Sequence, residues 1–306
     1  MANKRLVTVI GATGAQGGAV VQSLIQTGKY QIRGLTRDAK SEKALSVAKL
    51  SDQVEMATCD INKREDLERA FKDSWAVYAL TNFSIQPEVE IQQGKLMADV
   101  TDSLKIPYLI FSTLENVDKL SNGQLNVPHF TQKALIRDYI KEKHPNLKVI
   151  YVQSAFYMQN WQNRSKPQKL PDGTIVFASP LDQKATLHIG DADDTGPIVR
   201  EILENPEKLV GQDICICSEE ICFEDISKVF TKVTGIPSIS KTLTEEEFRG
   251  TTSFLPKLIQ DDLFYMYKWF EQYGCFGKHK DWTTGKQLTH LNTFEDWLKK
   301  TGWKGQ

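Results

Sequence analysis

A glycine-spaced turn that joins an apolar strand to a helix constrains this chain more than any other feature of its sequence. Gly11, Gly14 and Gly17 follow the mostly apolar residues 7–10. In such a fingerprint the first glycine permits the tight turn, the second lets the backbone approach a pyrophosphate, and the third lets the helix pack closely on the strand. The N–H groups at the helix start then face the anion. The pattern predicts a dinucleotide site, and the alternative is a purely structural strand-to-helix turn.

Apolar strand segments alternate with helical segments through the first half of the chain. After the first strand, further strands are predicted at residues 30–36, 54–59, 75–80, 108–112 and 148–152. Strands that are apolar nearly throughout are what a parallel sheet covered on both faces requires. The alternation predicts an α/β fold with a doubly wound parallel Rossmann sheet, in which ligands bind beyond the carboxyl ends of the strands.

Beyond about residue 155 the pattern changes to longer loops with isolated strands and helices. We therefore predict an NAD(P)-binding Rossmann domain at residues 1–154 and a smaller mixed α/β cap at residues 155–306. The chain could return from this cap to the main sheet. Helix starts are indicated where a small polar residue precedes a carboxylate by three positions, as in Asn62 with Glu65, Thr244 with Glu247, and Thr293 with Asp296.

Composition argues against several classes of protein. The 38 Lys and Arg residues are intermixed with 39 Asp and Glu residues, so we expect no direct binding of nucleic acid. No apolar run approaches the ~20 residues that span a bilayer, and residues 1–5 lead straight into the first strand, so we expect a cytoplasmic protein without membrane association. Cys215, Cys217 and Cys222 lack the second pair of a typical metal site, so we predict packing and no metal.

The end of the second strand bears on the choice between NADP(H) and NAD(H). An NAD site normally has a carboxylate there for the ribose hydroxyls, whereas an NADP site has a cation for the extra phosphate. Arg37 stands 20 residues after Gly17, at the position of this ribose reader, with Lys40 and Lys43 nearby. A shift of one residue would instead place Asp38 at the ribose. NADP(H) is therefore favoured, and NAD(H) stays the alternative.

With these residues in view, the chain resembles the NmrA-like family, whose members are atypical short-chain dehydrogenases/reductases. The resemblance spans most of the chain. It is carried by residues 11–18, 35–38, 81–83, 129–130 with 133, and 156–161. The family implies NAD(P) bound in the usual cleft of a Rossmann fold.

The resemblance also implies which residues hold the cofactor. Asp60 and Ile61 would border the adenine, Lys133 would reach the nicotinamide ribose, and residues 155–157 would close over the nicotinamide. The complete implied set is Gly11, Thr13, Gly14, Ala15, Gln16, Gly17, Arg37, Asp60, Ile61, Thr81, Asn82, Phe83, Lys133, Ala155, Phe156 and Tyr157. For the aromatic residues the alternative is core packing, and for Asp60 it is a turn.

The catalytic register of the superfamily is disturbed in this chain. Its reductases use a Tyr-x-x-x-Lys pair, in which the lysine lowers the pKa of the proton-donating tyrosine. Lys133 matches the lysine, but His129 stands where the tyrosine is expected. Tyr139 and Lys143 fit the spacing literally, yet they lie at the far end of the helix, away from the expected nicotinamide site. Ser112, at the end of the fifth strand, matches the catalytic serine.

Two functions from different classes stay open. The missing tyrosine favours a protein that binds the nucleotide without turning it over. The family resemblance implies a regulator that senses the nucleotide redox state and binds a protein partner. Such partners include transcription factors, so the protein could also occur in the nucleus. The alternative is an NADPH-dependent reductase of quinones or small carbonyl compounds, with Ser112, His129, Lys133 and Tyr157 as catalytic candidates. The sequence leaves the partner, the small-molecule substrate and any oligomer unidentified.

Overall fold

The computed structural model describes residues 4–306, which form two compact units. The first unit contains residues 4–114, 132–153 and 192–214, and the second contains residues 115–131, 154–191 and 215–306. The first unit is thus assembled from three separate segments of the chain. The division into domains at residue 154 stays a prediction.

Thirteen strands are found in the described residues. They are β1 (Arg5–Ile10), β2 (Tyr30–Thr36), β3 (Val54–Thr58), β4 (Ala76–Ala79), β5 (Tyr108–Thr113), β6 (Val149–Ser154), β7 (Phe156–Tyr157), β8 (Gln168–Lys169), β9 (Ile175–Ser179), β10 (Thr186–Gly190), β11 (Asp213–Ile216), β12 (Glu219–Cys222) and β13 (Ser238–Thr242). The first six confirm the strands predicted from the apolar segments, with shifts of one or two residues at their ends.

Eleven α-helices are found in the same residues. They are α1 (Ala15–Thr27), α2 (Glu42–Ala48), α3 (Arg64–Phe71), α4 (Pro87–Ser103), α5 (Val117–Leu120), α6 (Pro128–Lys143), α7 (Thr195–Glu204), α8 (Phe223–Thr234), α9 (Glu245–Thr251), α10 (Lys257–Tyr273) and α11 (Phe294–Thr301). None of them is long and apolar enough to cross a membrane.

A seven-stranded sheet organises the first unit, in the order β11-β6-β5-β4-β1-β2-β3. The neighbouring strands β3, β2, β1, β4, β5 and β6 pair in parallel, and every residue of β4, β5 and β6 is buried. Apolar strands covered on both faces are typical of a doubly wound sheet, so the predicted α/β fold class is confirmed. Because β1 to β4 are parallel, their carboxyl ends lie at the same edge of the sheet.

The later part of the chain completes the first unit. Strand β11 extends the sheet beside β6, and α7 packs on α1. The approach of the two helices is so close that a Cβ on Gly196 would lie 2.2 Å from the carbonyl oxygen of Ala19. The return of the chain to the sheet, which the sequence left open, is therefore observed.

The second unit contains two three-stranded sheets, ordered β12-β10-β7 and β13-β9-β8. Between its helices and strands lies an aromatic cluster made by Trp161, Phe177, Phe230, Trp297 and Trp303. Aromatic pairs at such distances contribute to the core beyond the area that they bury. The unit is thus a packed body with its own hydrophobic core.

Two of the three helix starts indicated by the sequence are confirmed as capping boxes. Thr244 and Glu247 exchange hydrogen bonds at the start of α9, and Thr293 and Asp296 do so at the start of α11. The third is wrong, because α3 begins at Arg64 with Lys63 as its N-cap. Asn62 instead donates its backbone and side-chain N–H groups to Asp60 Oδ1, in a turn that precedes the helix.

The five cysteines are free thiols. Cys215 and Cys217 are buried, and burial raises the pKa of the Cys217 thiol well above its ordinary value. A thiol held in its neutral form reacts slowly. Cys215 and Cys217 therefore pack in the core. No cluster of three or more His, Cys, Asp or Glu side chains suited to a metal occurs in residues 4–306.

Candidate functional site

The glycine-spaced loop between β1 and α1 has the geometry that its spacing predicted. Gly11 has a positive φ of 67°, and the N–H of Gly14 donates to its carbonyl oxygen at 2.8 Å. A Cβ on Gly17 would lie 2.3 Å from that same oxygen, so only glycine allows the helix to approach the strand this closely. The first and third glycines are thus required by the turn itself.

Gly14 differs from its two neighbours in the motif. It has φ −99°, which any residue can adopt, and it lies exposed at the start of α1. A Cβ there would meet only the Gly11 carbonyl oxygen, at 3.3 Å, with no other group within 4 Å. The turn alone therefore gives a weak reason for glycine. A ligand lying on the loop would give a stronger one, because it would need the space that a side chain would occupy.

The start of α1 carries no compensating negative charge. No side chain caps the helix at Gly14, and its first turn contains no acidic residue. The positive end of the helix dipole and the first N–H groups are therefore available to an anion. Gln16, in this first turn, accepts a hydrogen bond at 2.6 Å from the hydroxyl of the buried Tyr78. Thr13 and Ala15 complete the rim of the loop.

Arg37 is exposed directly after β2. Its guanidinium forms no ion pair or hydrogen bond within residues 4–306, and the neighbouring Lys40 is also exposed. Asp38, the alternative ribose reader, uses its Oδ1 to accept the backbone N–H of Lys40 at 2.8 Å. The loop therefore presents the cation outward while one carboxylate oxygen of Asp38 holds the loop together.

Asp60 and Ile61 follow β3 at the same edge of the sheet. Asp60 Oδ1 accepts two hydrogen bonds from Asn62, which lower the pKa of its carboxyl group. Its backbone N–H donates to Asp66 Oδ2 at 2.9 Å. Ile61 is half-buried against the core of the first unit. Asp60 is thus a turn residue, and its proposed contact with adenine stays a prediction.

A buried polar network lies directly after β4. Thr81 donates its hydroxyl to Glu90 Oε1 at 2.6 Å, and the Lys133 ammonium donates to that same oxygen. The side chain of Glu90 is completely buried, and that of Lys133 is 14% exposed. Sequence reasoning singled out Thr81 and Lys133 but missed Glu90, because no local pattern marks a residue that pairs across 43 positions of the chain.

Three other candidate residues belong to the first unit. Asn82 is exposed and Phe83 is half-buried after β4, whereas Ser112 is buried near the end of β5. Thr113 donates its hydroxyl to the carbonyl oxygen of Lys133 at 3.0 Å, which ties β5 to α6. The roles of these residues toward a cofactor stay predictions.

The second Tyr-x-x-x-Lys pattern is engaged elsewhere in the first unit. Burial and a hydrogen bond to Asp99 raise the pKa of Tyr139, which opposes the shift that a catalytic tyrosine needs. Lys143 pairs with Glu142 at 2.7 Å. The exclusion of Tyr139 and Lys143 from catalysis, which their place on the helix favours, stays a prediction.

His129, in the second unit, is held by a carboxylate that the sequence did not reveal. Its Nδ1 lies 2.5 Å from Asp262 Oδ2, and its backbone N–H donates to Asp262 Oδ1 at 3.2 Å. The Asp262 side chain, on α10, is 4% exposed and that of His129 is 22% exposed. The buried Asp262 carboxylate therefore lies against the imidazole and holds the backbone of His129, and a carboxylate beside a histidine is a common arrangement where protons are transferred.

Residues 155–157 also belong to the second unit. Ala155 and Phe156 are buried, and Phe156 contacts Trp161 and Tyr267. The hydroxyl of Tyr157 lies 2.5 Å from Ser154 Oγ. Phe156 thus packs in the aromatic core of the unit. The proposed contacts of these three residues with the nicotinamide stay predictions.

Comparisons with known proteins agree with the fold. The sequence model of the NmrA-like family matches residues 3–298. An NmrA-like family domain-containing protein of Dictyostelium discoideum is 30% identical over 305 residues, which cover 97% of this chain and 98% of the relative.

Two solved structures are similar to the whole chain. One is NmrA, described as a negative transcriptional regulator, in complex with NADP, with 17% identity, a TM-score of 0.80 and coverage of 97% of this chain and 95% of that one. The other is an NADPH-dependent quinone oxidoreductase from Escherichia coli complexed with NADPH, with 15% identity, a TM-score of 0.77 and coverage of 97% and 100%. At these identities the likeness shows the fold alone.

Proposed function

Since this chain belongs to the NmrA-like family, we propose that it binds NADP(H) at the carboxyl edge of its seven-stranded sheet and controls a protein partner according to the redox state of that nucleotide. The family resemblance seen in the sequence is thereby confirmed, while the nucleotide and the partner are our proposal. A regulator of transcription factors would work in the cytoplasm and the nucleus.

The observation that carries the proposal is Gly14. It is exposed, its φ is one that any residue can adopt, and a Cβ would meet only the carbonyl oxygen of Gly11, at 3.3 Å. The adjacent start of α1 offers N–H groups without a capping side chain or an acidic neighbour. This combination suits a pyrophosphate that lies against the loop.

The preference for NADP(H) is supported by the residues after β2. The exposed Arg37 guanidinium can form two charge-assisted hydrogen bonds to a 2′-phosphate. Asp38 is partly committed to the N–H of Lys40, which weakens the case for an NAD-type contact to the ribose hydroxyls. Because the structural neighbour NmrA is described in complexes with NADP and with NAD, the preference rests on these residues and not on the comparison.

The regulatory role is supported by the residue four positions before Lys133. His129 stands there in place of the superfamily's tyrosine, and the other Tyr-x-x-x-Lys pattern is tied to Asp99 and Glu142. The structural neighbour NmrA is described as a negative transcriptional regulator. A nucleotide can control a partner only if it binds the two states of the protein with different affinity.

Calorimetric titration of NADP, NADPH, NAD and NADH tests the first part of the proposal. We expect NADP and NADPH to bind at least about tenfold more tightly than NAD and NADH, the ratio that about 1.4 kcal/mol of phosphate contacts would give. Absence of binding for all four would refute the proposal.

A binding experiment with partner proteins tests the second part. Proteins recovered from cell extract on the immobilised chain are compared in the presence of NADP, in the presence of NADPH, and with a Gly14→Val variant. We expect a partner whose recovery differs between the two redox forms and loses that difference in the variant. A set of bound proteins indifferent to the nucleotide would contradict a sensor.

A second function, NADPH-dependent reduction of quinones or small carbonyl compounds, is favoured by the pair of His129 and Asp262. When bound, NADPH would supply the hydride. His129, whose Nδ1 lies against the buried Asp262 carboxylate, would supply a proton to the substrate oxygen. The structural neighbour described as a quinone oxidoreductase is consistent with this alternative.

Turnover measurements separate the two functions. Oxidation of NADPH is followed with quinones, aldehydes and ketones, using Gly14→Val as the blank. A regulator should not exceed the blank. A reductase that uses His129 should lose about 10²–10⁴-fold of its kcat in His129→Ala. Turnover that survives this substitution would move the search for the proton donor to Tyr157.

A further inference from the structure

Glu90 is a fully buried carboxylate that neither function above employs. It lies in the first turn of α4, and its side chain has no exposed surface. Burying an ionised carboxylate costs several kcal/mol unless a charged partner and hydrogen bonds compensate. The presence of this group in the interior therefore calls for a reason.

The partners of Glu90 are unevenly distributed over its two oxygens. Oε1 accepts from the Thr81 hydroxyl at 2.6 Å and from the Lys133 ammonium. Oε2 is buried and accepts no hydrogen bond within residues 4–306. A buried carboxylate with a purely structural role would be expected to accept hydrogen bonds at both oxygens. Here both hydrogen bonds go to the one oxygen that faces Lys133.

Lys133 depends on this contact. Its side chain is mostly buried on α6, and its carbonyl oxygen is anchored to β5 by the hydroxyl of Thr113. An ammonium has three N–H donors, of which Glu90 receives one. If the carboxylate were removed, the buried ammonium would lose its counter-charge and its fixed position.

We propose that Glu90 is a positioning residue that holds the Lys133 ammonium for the nicotinamide ribose, with Thr81 orienting the carboxylate. The inference rests on the proposed binding of NADP(H), and it concerns only the nicotinamide half of that nucleotide. Glu90 touches Lys133 and leaves its other two N–H groups to the ribose hydroxyls.

The test compares a whole nucleotide with a fragment of it. NADPH and adenosine 2′,5′-bisphosphate, which lacks the nicotinamide ribose, are titrated into the wild type and Glu90→Gln. The amide keeps the size of the side chain and can still accept from Thr81. We expect the Kd of NADPH to rise about tenfold, as for a lost charge-assisted contact, and the Kd of the bisphosphate to change less than about twofold.

Two further variants complete the comparison. Lys133→Met should weaken NADPH by a similar factor, and the double variant Glu90→Gln/Lys133→Met should bind it as Lys133→Met does, because the two residues act together. Glu88→Gln removes an exposed carboxylate from the same helical turn and should leave both affinities unchanged.

The outcomes distinguish positioning from a purely structural role. Unchanged NADPH affinity in Glu90→Gln, equal losses for NADPH and the bisphosphate, or additive losses in the double variant would overturn the inference. If Glu90→Gln fails to fold, Thr81→Val takes its place, with about a threefold loss expected for NADPH alone and its absence overturning the inference. Failure of the wild type to bind NADPH would instead refute the proposed function.

Discussion

Arg37 owes its proposed role to exposure and to the absence of a competing carboxylate. Because its guanidinium makes no ion pair within residues 4–306, a phosphate would have no intramolecular partner to displace. We predict that Arg37→Ala weakens NADP binding by about 1.5–3 kcal/mol, the range for hydrogen bonds to charged groups, and leaves NAD binding unchanged. Calorimetric titration of both nucleotides measures this, and NAD is the internal control. Equal losses would show that Arg37 does not read the phosphate.

His144, the residue directly after α6, gives a prediction about pH. Its Nδ1 lies 2.9 Å from Asp102 and its Nε2 lies 2.8 Å from Asp99, which also accepts from Tyr139. Burial lowers the pKa of His144, but the hydrogen bonds to Asp102 and Asp99 outweigh it and raise the pKa above its ordinary value of 6.5. The charged imidazole therefore stabilises the fold below that value, and this contribution is lost as pH rises through the folded-state pKa.

Urea unfolding of the wild type and His144→Gln measures this contribution. The difference in the free energy of unfolding should be largest near about pH 5.5 and should shrink toward about pH 8.5. Comparing the two proteins at each pH cancels the titration of the other groups. A difference that grows with pH would show that the neutral imidazole is the stabilising form.

Residues that act through distant partners could not be predicted from the sequence. Gly11, Gly17 and the capping residues Thr244 and Thr293 could be recognised because their partners lie within a few positions. Glu90 and Asp262 could not, since each acts on a residue 43 or 133 positions away. Predicting such pairs requires the packing of α4 and α10, which no local pattern specifies.

At the scale of elements, the loop between β1 and α1 contains one glycine needed for stability and another needed for nucleotide binding. We predict that Gly17→Ala lowers the free energy of unfolding by about 1–3 kcal/mol, because its Cβ would overlap the carbonyl oxygen of Gly11. Gly14→Val should unfold like the wild type but lose nucleotide binding, because its side chain would fill the place of the pyrophosphate.

Unfolding curves and titrations of both variants check this separation. Gly18→Ala is a suitable control, because its Cβ would meet the carbonyl oxygen of Ala12 at an ordinary 3.4 Å. It should retain both stability and binding. Unimpaired binding by Gly14→Val would refute the assignment of this loop to a pyrophosphate.

The assembly of the whole chain was harder to predict than its individual strands. Six strands of the large sheet could be found from their apolar runs, but β11 is short and follows a stretch without alternation. Its place beside β6 depends on pairing with a distant segment, and α7 covers α1 in the same way. A single boundary at residue 154 therefore leaves out the later segments of the chain, β11 and α7, that join the first unit.

A truncated chain tests how far the first unit depends on its later segments. A fragment of residues 1–154 would leave the edge of β6 unpaired and one side of α1 uncovered. Exposed apolar edges favour aggregation. We predict that this fragment is aggregated or unfolded in size-exclusion chromatography and circular dichroism, under conditions in which the full chain is monodisperse. A stable monomeric fragment would confirm residues 1–154 as an independent domain.

The late arrival of β11 also has a consequence during synthesis. Asp213 leaves the ribosome about 60 residues after Ser154, a delay of about 3–12 s at ordinary translation rates. During that interval the nascent sheet ends at β6, a strand buried along its whole length in the finished protein. The emerging chain therefore passes through a stage at which the edge of β6 is unpaired, and slower translation between these two strands would prolong it.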